Sequence, residues 1–299
     1  MNQSFEVIEK CDLCGGAKFA SVDEAGHIMR CIQCGFKFTN PRKILSANID
    51  DMKYRTVNDY SKRFRLEEQL PLYVRRCAIV RHYVPKGRLL DVGAGAGVFL
   101  HMCQSSDSYE LFGTEVIEYY ISFAKEKFGL KMDLGTLEEI DYPAEYFDAV
   151  TLWHVLEHVP SPAETIKEIS RILKKNGLIF IAVPNDSWLG RSHFFKNALK
   201  QLLHRFLNRK IFKIKKMYPV YEEEGNWHLS HFTPKTLKLL LKRNGFKVRK
   251  LTIDEAVGFD IRYKNVRKKK VQFTSALWVK RLTGLIVFDA MLIVAEKTS

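Results

Sequence analysis

The chain has 299 residues, of which 46% are hydrophobic and 27% are charged, and its formal net charge is +14. This length and composition exclude a fibrous or disordered protein and fit one large α/β domain with a smaller unit beside it. No stretch is long and apolar enough to span a membrane, and the first residues lack the basic and apolar regions of a secretory signal. We therefore expect a cytoplasmic protein.

The positive charge is concentrated in two segments. Residues 191–216 and 262–281 contain lysines and arginines but no acids, and together they exceed the net charge of the whole chain. Localised positive charge suggests an anionic partner, such as a membrane surface, nucleic acid or a phosphorylated substrate. A solvated basic face without a partner is the alternative explanation.

Four cysteines near the N-terminus have the spacing of a zinc site. Cys11 and Cys14 form one C-x₂-C pair, and Cys31 and Cys34 form a second pair, with sixteen residues between the two pairs. A glycine follows each pair, which lets backbone amides approach the sulfur atoms. Four thiolates around one Zn²⁺ give a closed tetrahedral site, so the predicted role of the metal is structural.

The sequence divides into three predicted parts. Residues 1–42 form the zinc ribbon, and residues 43–85 form a helical linker or cap, because apolar side chains recur at helical spacing before Pro85. In residues 86–299 strands alternate with helices, which predicts a doubly wound sheet with its site at the carboxyl ends of the strands. The predicted strands are 89–92, 109–114, 130–134, 146–153, 178–183, 247–252 and 288–295.

A glycine-rich turn follows the first strand of this sheet. Asp91 precedes Gly93, Gly95 and Gly97, and an apolar segment that begins a helix comes next. Alternate glycines permit a tight turn and let a ligand lie directly on the main chain at a helix N-terminus. The sequence resembles motif I of class I methyltransferases that depend on S-adenosylmethionine (SAM), and Ala94 lies within it.

Further predicted SAM contacts lie at the ends of later strands. Glu115 follows the second strand about twenty residues after the glycine turn, at the position where a carboxylate accepts hydrogen bonds from ribose hydroxyls. Thr136 stands where the family often has an aspartate that binds the adenine amino group. Leu137 and Trp153 complete the set of residues that the resemblance places around SAM.

The resemblance covers residues 86–299 and extends to bacterial methyltransferases of surface polysaccharides and to ubiquinone O-methyltransferases. It implies a seven-stranded Rossmann-like sheet whose last strand inserts antiparallel between the fifth and sixth. It also implies O-methylation of a glycan, a lipid-linked sugar or a small hydroxylated metabolite. The alternatives are a zinc-ribbon methyltransferase of rRNA or tRNA and a SAM-binding protein without catalytic activity.

Histidines after the fourth strand are the predicted catalytic residues. His154, Glu157 and His158 follow that strand, and His228 and His231 lie in a later loop. A hydroxyl acceptor must lose a proton, and a histidine is a suitable base near neutral pH. His154 is the first choice and His231 the second. A divalent metal that grips the acceptor is the alternative, since related enzymes place Glu-x-x-Glu-His after this strand.

A basic insertion is predicted at about residues 190–226. Apolar side chains recur at helical spacing between Phe194 and Leu207, with lysines and arginines on the other face. This pattern is typical of a helix that lies in a membrane interface, which would place the protein on the inner face of the membrane. A lid helix that packs on the domain is the alternative.

Overall fold

The computed structural model describes residues 5–23, 26–43, 66–104, 108–187, 228–254 and 266–298. The N-terminal strands are β1 (Phe5–Glu6), β2 (Phe19–Ser21), β3 (Ile28–Cys31), β4 (Lys37–Thr39) and β5 (Arg42–Lys43). They are followed by α1 (Leu66–Tyr83), β6 (Gly87–Val92), α2 (Val98–Gln104), β7 (Tyr109–Glu115), α3 (Glu118–Phe128) and β8 (Asp133–Leu134). The remaining elements are β9 (Phe147–Trp153), α4 (Pro162–Ile172), β10 (Leu173–Pro184), β11 (Ser230–His231), α5 (Pro234–Arg243), β12 (Phe246–Ile253), α6 (Val266–Thr283) and β13 (Ala290–Lys297).

Seven strands form the central sheet, in the order β12-β13-β10-β9-β6-β7-β8. Strand β13 is antiparallel to both neighbours, whereas the pairings among β10, β9, β6, β7 and β8 are parallel. The predicted doubly wound sheet, with its last strand inserted between the fifth and sixth, is therefore confirmed. Since the parallel strands end at one edge, Val92, Glu115 and Trp153 all lie at that carboxyl edge.

The inner strands of the sheet are buried on both faces. From Ile179 to Val183 every residue of β10 is inaccessible to solvent, as are most residues of β9. Near-continuous apolar strands of this kind require helices on both sides. The helix boundaries follow from local chemistry: Ser161 caps α4 before Pro162, and Thr233 and Thr236 form a reciprocal capping box before α5.

A second sheet joins the cysteine-containing segment to a distant part of the chain. Its order is β11-β4-β3-β2, and Ser230 and His231 of β11 pair antiparallel with Phe38 and Lys37 of β4. The buried ring of Phe36 packs against that of Phe232, with centroids 5.5 Å apart. The N-terminal unit therefore shares its sheet and its core with residues that follow the basic insertion. The boundaries proposed at 42 and 85 stay predictions.

The structure also differs from the sequence prediction in detail. Strand β10 begins at Leu173, before the predicted strand 178–183, and its pairing with β9 shifts register between Leu173 and Leu178, where Asn176 has a φ of 63°. Helices α5 and α6 are additional to the elements predicted from sequence. The basic insertion and the first part of the predicted linker lie outside the described residues. In the part of the chain that is described, no helix meets the length and apolarity needed to cross a bilayer.

Candidate active site

The three glycines between β6 and α2 have different roles. All three have positive φ, but a Cβ on Gly93 would lie 2.7 Å from Val155, and one on Gly97 would lie 2.9 Å from Leu130. These two positions are closed by packing. A Cβ on Gly95 would meet no atom within 4 Å, so this backbone borders open space at the carboxyl edge. Such a bare surface can receive a ligand.

Glu115 joins the end of β7 to this glycine turn. Its Oε2 accepts a hydrogen bond of 2.8 Å from the Gly95 amide, and its Oε1 accepts from the amides of Val116 and Ile117. Burial raises the pKa of Glu115, and the three amide donors oppose that rise. A carboxylate has about four acceptor sites. Glu115 therefore retains capacity to accept hydrogen bonds from a diol.

Asp91 lies inside β6, below the turn. It is buried, and the Thr151 hydroxyl donates a hydrogen bond of 2.6 Å to its Oδ1. Burial raises the pKa of Asp91 to about 7. The contact with Thr151 joins Asp91 of β6 to the neighbouring strand β9, just before the glycine turn. The ligand contact predicted for Asp91 stays a prediction.

The other predicted SAM residues have distinct surroundings. Thr136 is half-buried, and its hydroxyl donates a hydrogen bond of 3.0 Å to Glu139, while Leu137 is buried. Trp153 ends β9 with its ring 5.3 Å from that of Phe99 and 4.5 Å from the Arg76 guanidinium. Among the described residues, the buried Nε1 of Trp153 has no hydrogen-bond partner. An unpaired buried donor at this edge is suited to a ligand acceptor.

His154, Glu157 and His158 come together in a turn after β9. No helix forms there; His154 has a φ of 60°, and the His158 amide donates to the Val155 carbonyl. The His154 Nδ1 lies 3.4 Å from Glu157 Oε1, and the His158 Nε2 lies 3.9 Å from the same oxygen. Glu157 is buried, and its Oε2 has no hydrogen-bond partner within the described ranges.

His154 is clamped between two carboxylates. Its Nε2 lies 3.1 Å from Oδ2 of Asp254, the residue after β12, and its Nδ1 faces Glu157. Burial lowers the pKa of His154, but the hydrogen bonds that its ring donates to the two carboxylates outweigh burial and raise the pKa to about 9. Asp254 is paired in turn with the buried guanidinium of Arg76, at 3.0 Å. The sequence analysis missed both Asp254 and Arg76, since neither belongs to a recognisable motif.

Two further histidines reach this cluster from the segment next to the cysteine unit. The rings of His158 and His228 have centroids 4.9 Å apart, and those of His228 and His231 lie 6.4 Å apart. The Thr39 hydroxyl donates to the His228 carbonyl and lies 3.5 Å from the His231 Nε2. Burial lowers the pKa of His228. Of the two histidines in this later segment, His228 therefore lies closer to Glu157 than His231 does.

The cluster also satisfies the minimum ligand set of an open metal site. One ligand atom each from Glu157, His158 and His228 lie within 4.8 Å of one another. Three protein ligands leave positions for water or substrate, as catalytic metal sites require. The geometry thus allows either proton transfer or metal binding.

The four N-terminal cysteines converge as the spacing predicted. Their sulfur atoms lie within 4.8 Å of one another, with 3.6 Å between Cys11 and Cys34 and 3.5 Å between Cys14 and Cys31. Four sulfurs at about 2.3 Å from one Zn²⁺ are separated by about 3.8 Å in a tetrahedron. The donor set and its dimensions fit that ion.

Comparisons with known proteins agree with this geometry. A family model described as a methyltransferase domain matches residues 65–251. An uncharacterized protein of Methanocaldococcus jannaschii is 30% identical over 149 residues, which cover 47% of this chain and 69% of that protein. The ubiquinone biosynthesis O-methyltransferase of Bradyrhizobium diazoefficiens is 35% identical over 108 residues, which cover 34% of this chain and 41% of that enzyme. The match therefore spans less than half of the ubiquinone enzyme.

The solved structures agree in fold. One chain of a complex between a Haloferax volcanii methyltransferase activator and a methyltransferase superposes with a TM-score of 0.51 at 16% identity. The superposition covers 81% of this chain and 96% of the other. At that identity the similarity shows the fold alone.

Proposed function

The chain belongs to the class I SAM-dependent methyltransferases, and from this premise we propose that it methylates a hydroxyl oxygen of a glycan, a lipid-linked sugar or a small hydroxylated metabolite. The observation that carries the proposal is the cluster of histidines and a glutamate beside the glycine turn. When bound, SAM supplies an electrophilic methyl group on a sulfonium. A hydroxyl acceptor then requires only alignment and removal of its proton.

The donor is assigned to the open backbone at Gly95, with Glu115 accepting hydrogen bonds from the ribose hydroxyls. The space above Gly95 and the unpaired Nε1 of Trp153 fit a ligand that covers this part of the edge. The hydroxyl of Thr136 is engaged by Glu139. An adenine contact at Thr136 therefore requires that hydroxyl to exchange partners.

We assign the proton acceptor to His228. Both ring nitrogens of His154 face carboxylates, and its raised pKa keeps it protonated at neutral pH, so it is poorly suited to take up a proton. Burial lowers the pKa of His228, which favours its neutral form, and the negative charge of Glu157 favours the imidazolium that forms on proton transfer. His154, the first choice from sequence, instead acts as a positioning residue that fixes Glu157.

A divalent cation on Glu157, His158 and His228 is the second way in which the cluster could activate a hydroxyl. The unpaired Oε2 of Glu157 is the observation that favours it. In that case the cation lowers the pKa of the acceptor hydroxyl, and the two histidines serve as ligands. Treatment with a chelator distinguishes the two. Chelation also removes Zn²⁺ from the cysteine site, so the chelated protein is first given Zn²⁺ alone and then Mg²⁺ or Mn²⁺; activity that needs the second ion supports the metal. Activity that survives chelation supports the histidine base.

We further propose that Zn²⁺ occupies the four-cysteine site. The support is the convergence of four thiols at tetrahedral spacing, in a unit whose buried residues belong to the core shared with Phe232. Elemental analysis of purified protein tests this assignment. About one zinc per chain is expected, and the double variant Cys31→Ser/Cys34→Ser should lose it.

The acceptor class can be tested with SAM that carries a trideuterated methyl group. Purified protein is incubated with polysaccharide, lipid, small-molecule and RNA fractions of cells, and the labelled fraction is identified by mass spectrometry. Label on oxygen in one of the first three fractions supports the proposal. Label in RNA alone supports the RNA methyltransferase alternative. SAM binding without label in any fraction supports the non-catalytic alternative.

A further inference from the structure

Helix α6 is apolar on two opposite faces. On one face Phe273 and Ala276 are buried, and the Phe273 ring lies 5.7 Å from that of Phe288. On the other face Val271 is 66% exposed, Trp278 58% and Leu282 77%. Packing on the sheet therefore accounts for one face and leaves the other in solvent.

The exposed residues form one stripe along the helix. Val271, Trp278 and Leu282 are separated by seven and four residues, which places them within about 40° of one another around the axis. Leu285, just beyond the helix, is 47% exposed. Single exposed apolar residues are ordinary, but an aligned group of large ones marks an interaction surface. We call these four residues the α6 stripe.

The charged residues of α6 have one sign. In sequence Arg267, Lys268, Lys269 and Lys270 follow the first residue of the helix, and its last turn contains Lys280 and Arg281. Helical spacing places Arg281 beside the α6 stripe and Lys280 on the opposite face. The Arg281 guanidinium lies 5.8 Å from the Trp278 ring. The segment 262–281 contains no acid. An anionic partner is therefore favoured by charge complementarity.

The composition of the stripe selects among anionic partners. Nucleic acid binds through several aromatic side chains on which bases stack, and the stripe has one aromatic residue, Trp278. A second copy of the chain would bring two sets of uncompensated cations together. Aliphatic side chains with one tryptophan, bordered by lysine and arginine, are the composition of helices that bind at membrane interfaces.

The stripe ends near the acceptor side of the molecule. After α6 the chain returns to the carboxyl edge, where the Asn185 side chain donates hydrogen bonds to the carbonyls of Ile286 and Phe288. The Asp254 amide donates to the Ala290 carbonyl at the same edge. Leu282 and Leu285 thus lie at the end of the helix that approaches the edge containing the histidine cluster.

We propose that the α6 stripe docks the protein on a bilayer surface that carries anionic headgroups. The aliphatic side chains and Trp278 enter the interface between headgroups and acyl chains, and the flanking cations bind the headgroups. The surface is distinct from the basic insertion. The proposal stands independently of the acceptor chemistry.

The test is co-sedimentation of the full chain with vesicles. Vesicles of phosphatidylcholine alone are compared with vesicles containing one quarter phosphatidylglycerol, at low and physiological salt. The test variant is Trp278→Ser/Leu282→Ser. The matched control is Val7→Ser/Val74→Ser, which removes two exposed apolar residues elsewhere. Calorimetry with SAM shows that each variant is folded, since the α6 stripe lies apart from the glycine turn.

The wild type and the control should bind the anionic vesicles, and the test variant should bind about tenfold more weakly or worse. Equal binding of the test variant overturns the proposal, as does absence of wild-type binding to anionic vesicles. Two other outcomes also overturn it. One is RNA binding that the test variant loses, and the other is a dimer, seen by light scattering, that the test variant dissociates.

Discussion

At the scale of single residues, the three glycines of the turn between β6 and α2 have unequal roles. Gly93 and Gly97 are closed by Val155 and Leu130, whereas Gly95 borders open space. Of these three glycines, only Gly95 is available to a ligand. Glu115 then links the turn to the neighbouring strand through the Gly95 amide.

A side chain at position 95 should block SAM while leaving the fold intact. Gly95→Leu places a side chain in the open space, and we expect SAM affinity to fall about a hundredfold, or about 2.7 kcal/mol. Gly129→Leu is the matched control, because Gly129 also has positive φ and open space but caps α3 away from the turn. Both variants carry a backbone cost of about 1–2 kcal/mol. Titration calorimetry with SAM measures the difference; equal affinities of the two variants would contradict the assigned donor site.

Asp91→Asn should change the pH dependence of stability. The pKa of Asp91 is raised to about 7 in the folded protein, so the folded state holds this proton more tightly than the unfolded state. Ionisation of Asp91 therefore costs stability as pH rises from about 4 to about 7, and the cost is constant above that range. The Asn variant lacks this cost and keeps an acceptor for Thr151.

Urea unfolding at several pH values tests this expectation. The stability of Asp91→Asn relative to wild type should increase as the pH rises from 5 to about 7 and then level off. Other titrating groups are common to both proteins and cancel in the difference. A difference that does not vary with pH would show that Asp91 titrates normally.

At the scale of elements, a buried network connects α1, the turn after β9 and the end of β12. Arg76 of α1 pairs with Asp254, and Asp254 pairs with His154, which faces Glu157. These four side chains come from three separate parts of the chain. The positive φ of His154 directs its ring into this network, and the surrounding pairs maintain that conformation.

Removal of Asp254 should be costly. Asp254→Ala leaves the buried Arg76 guanidinium without its carboxylate partner, and we expect a loss of about 3–5 kcal/mol in the free energy of unfolding. Glu296→Ala is the matched control, since it breaks the more exposed Arg249–Glu296 pair and should cost about 1 kcal/mol or less. Denaturant unfolding measures both. Similar losses for the two variants would show that the Arg76–Asp254 pair contributes no more to the free energy of unfolding than the exposed pair does.

At the scale of the whole molecule, the cysteine unit contributes to the acceptor side. Strand β4 pairs with β11, Thr39 contacts both His228 and His231, and Phe36 packs on Phe232. The donor turn, in contrast, is built from β6, β7 and α2. The metal site should therefore influence the acceptor histidines more than the donor.

Removal of zinc should affect β11 and the histidines beside it more than the glycine turn. In Cys31→Ser/Cys34→Ser, or after chelation, we expect the amides of Ser230 and His231 to exchange hydrogen much faster, because β11 loses its ordered partner. SAM affinity should stay within about threefold of wild type. Hydrogen exchange with mass spectrometry and calorimetry measure the two effects, and re-addition of Zn²⁺ should reverse the effects of chelation. Unchanged exchange in β11 would contradict the coupling.

Much of the local chemistry was predictable from sequence. The strands, the glycine turn, Glu115 and the four cysteines are encoded by short-range patterns, namely apolar runs, obligatory glycines and fixed ligand spacing. The predicted seven-stranded sheet is confirmed for the same reason, because alternating strands and helices leave few topologies. The predicted ligand and catalytic roles of these residues stay predictions.

Other features depended on contacts between residues far apart in the chain. The pairing of β11 with β4 joins residues about 190 apart, and the Arg76–Asp254 pair joins residues 178 apart. No local pattern records such contacts, since they result from packing after the sheet has formed. The sequence by itself determined the fold and the glycine turn. Only the tertiary structure decided which histidine lies between two carboxylates and therefore has a raised pKa, because pKa values depend on burial and neighbouring charge.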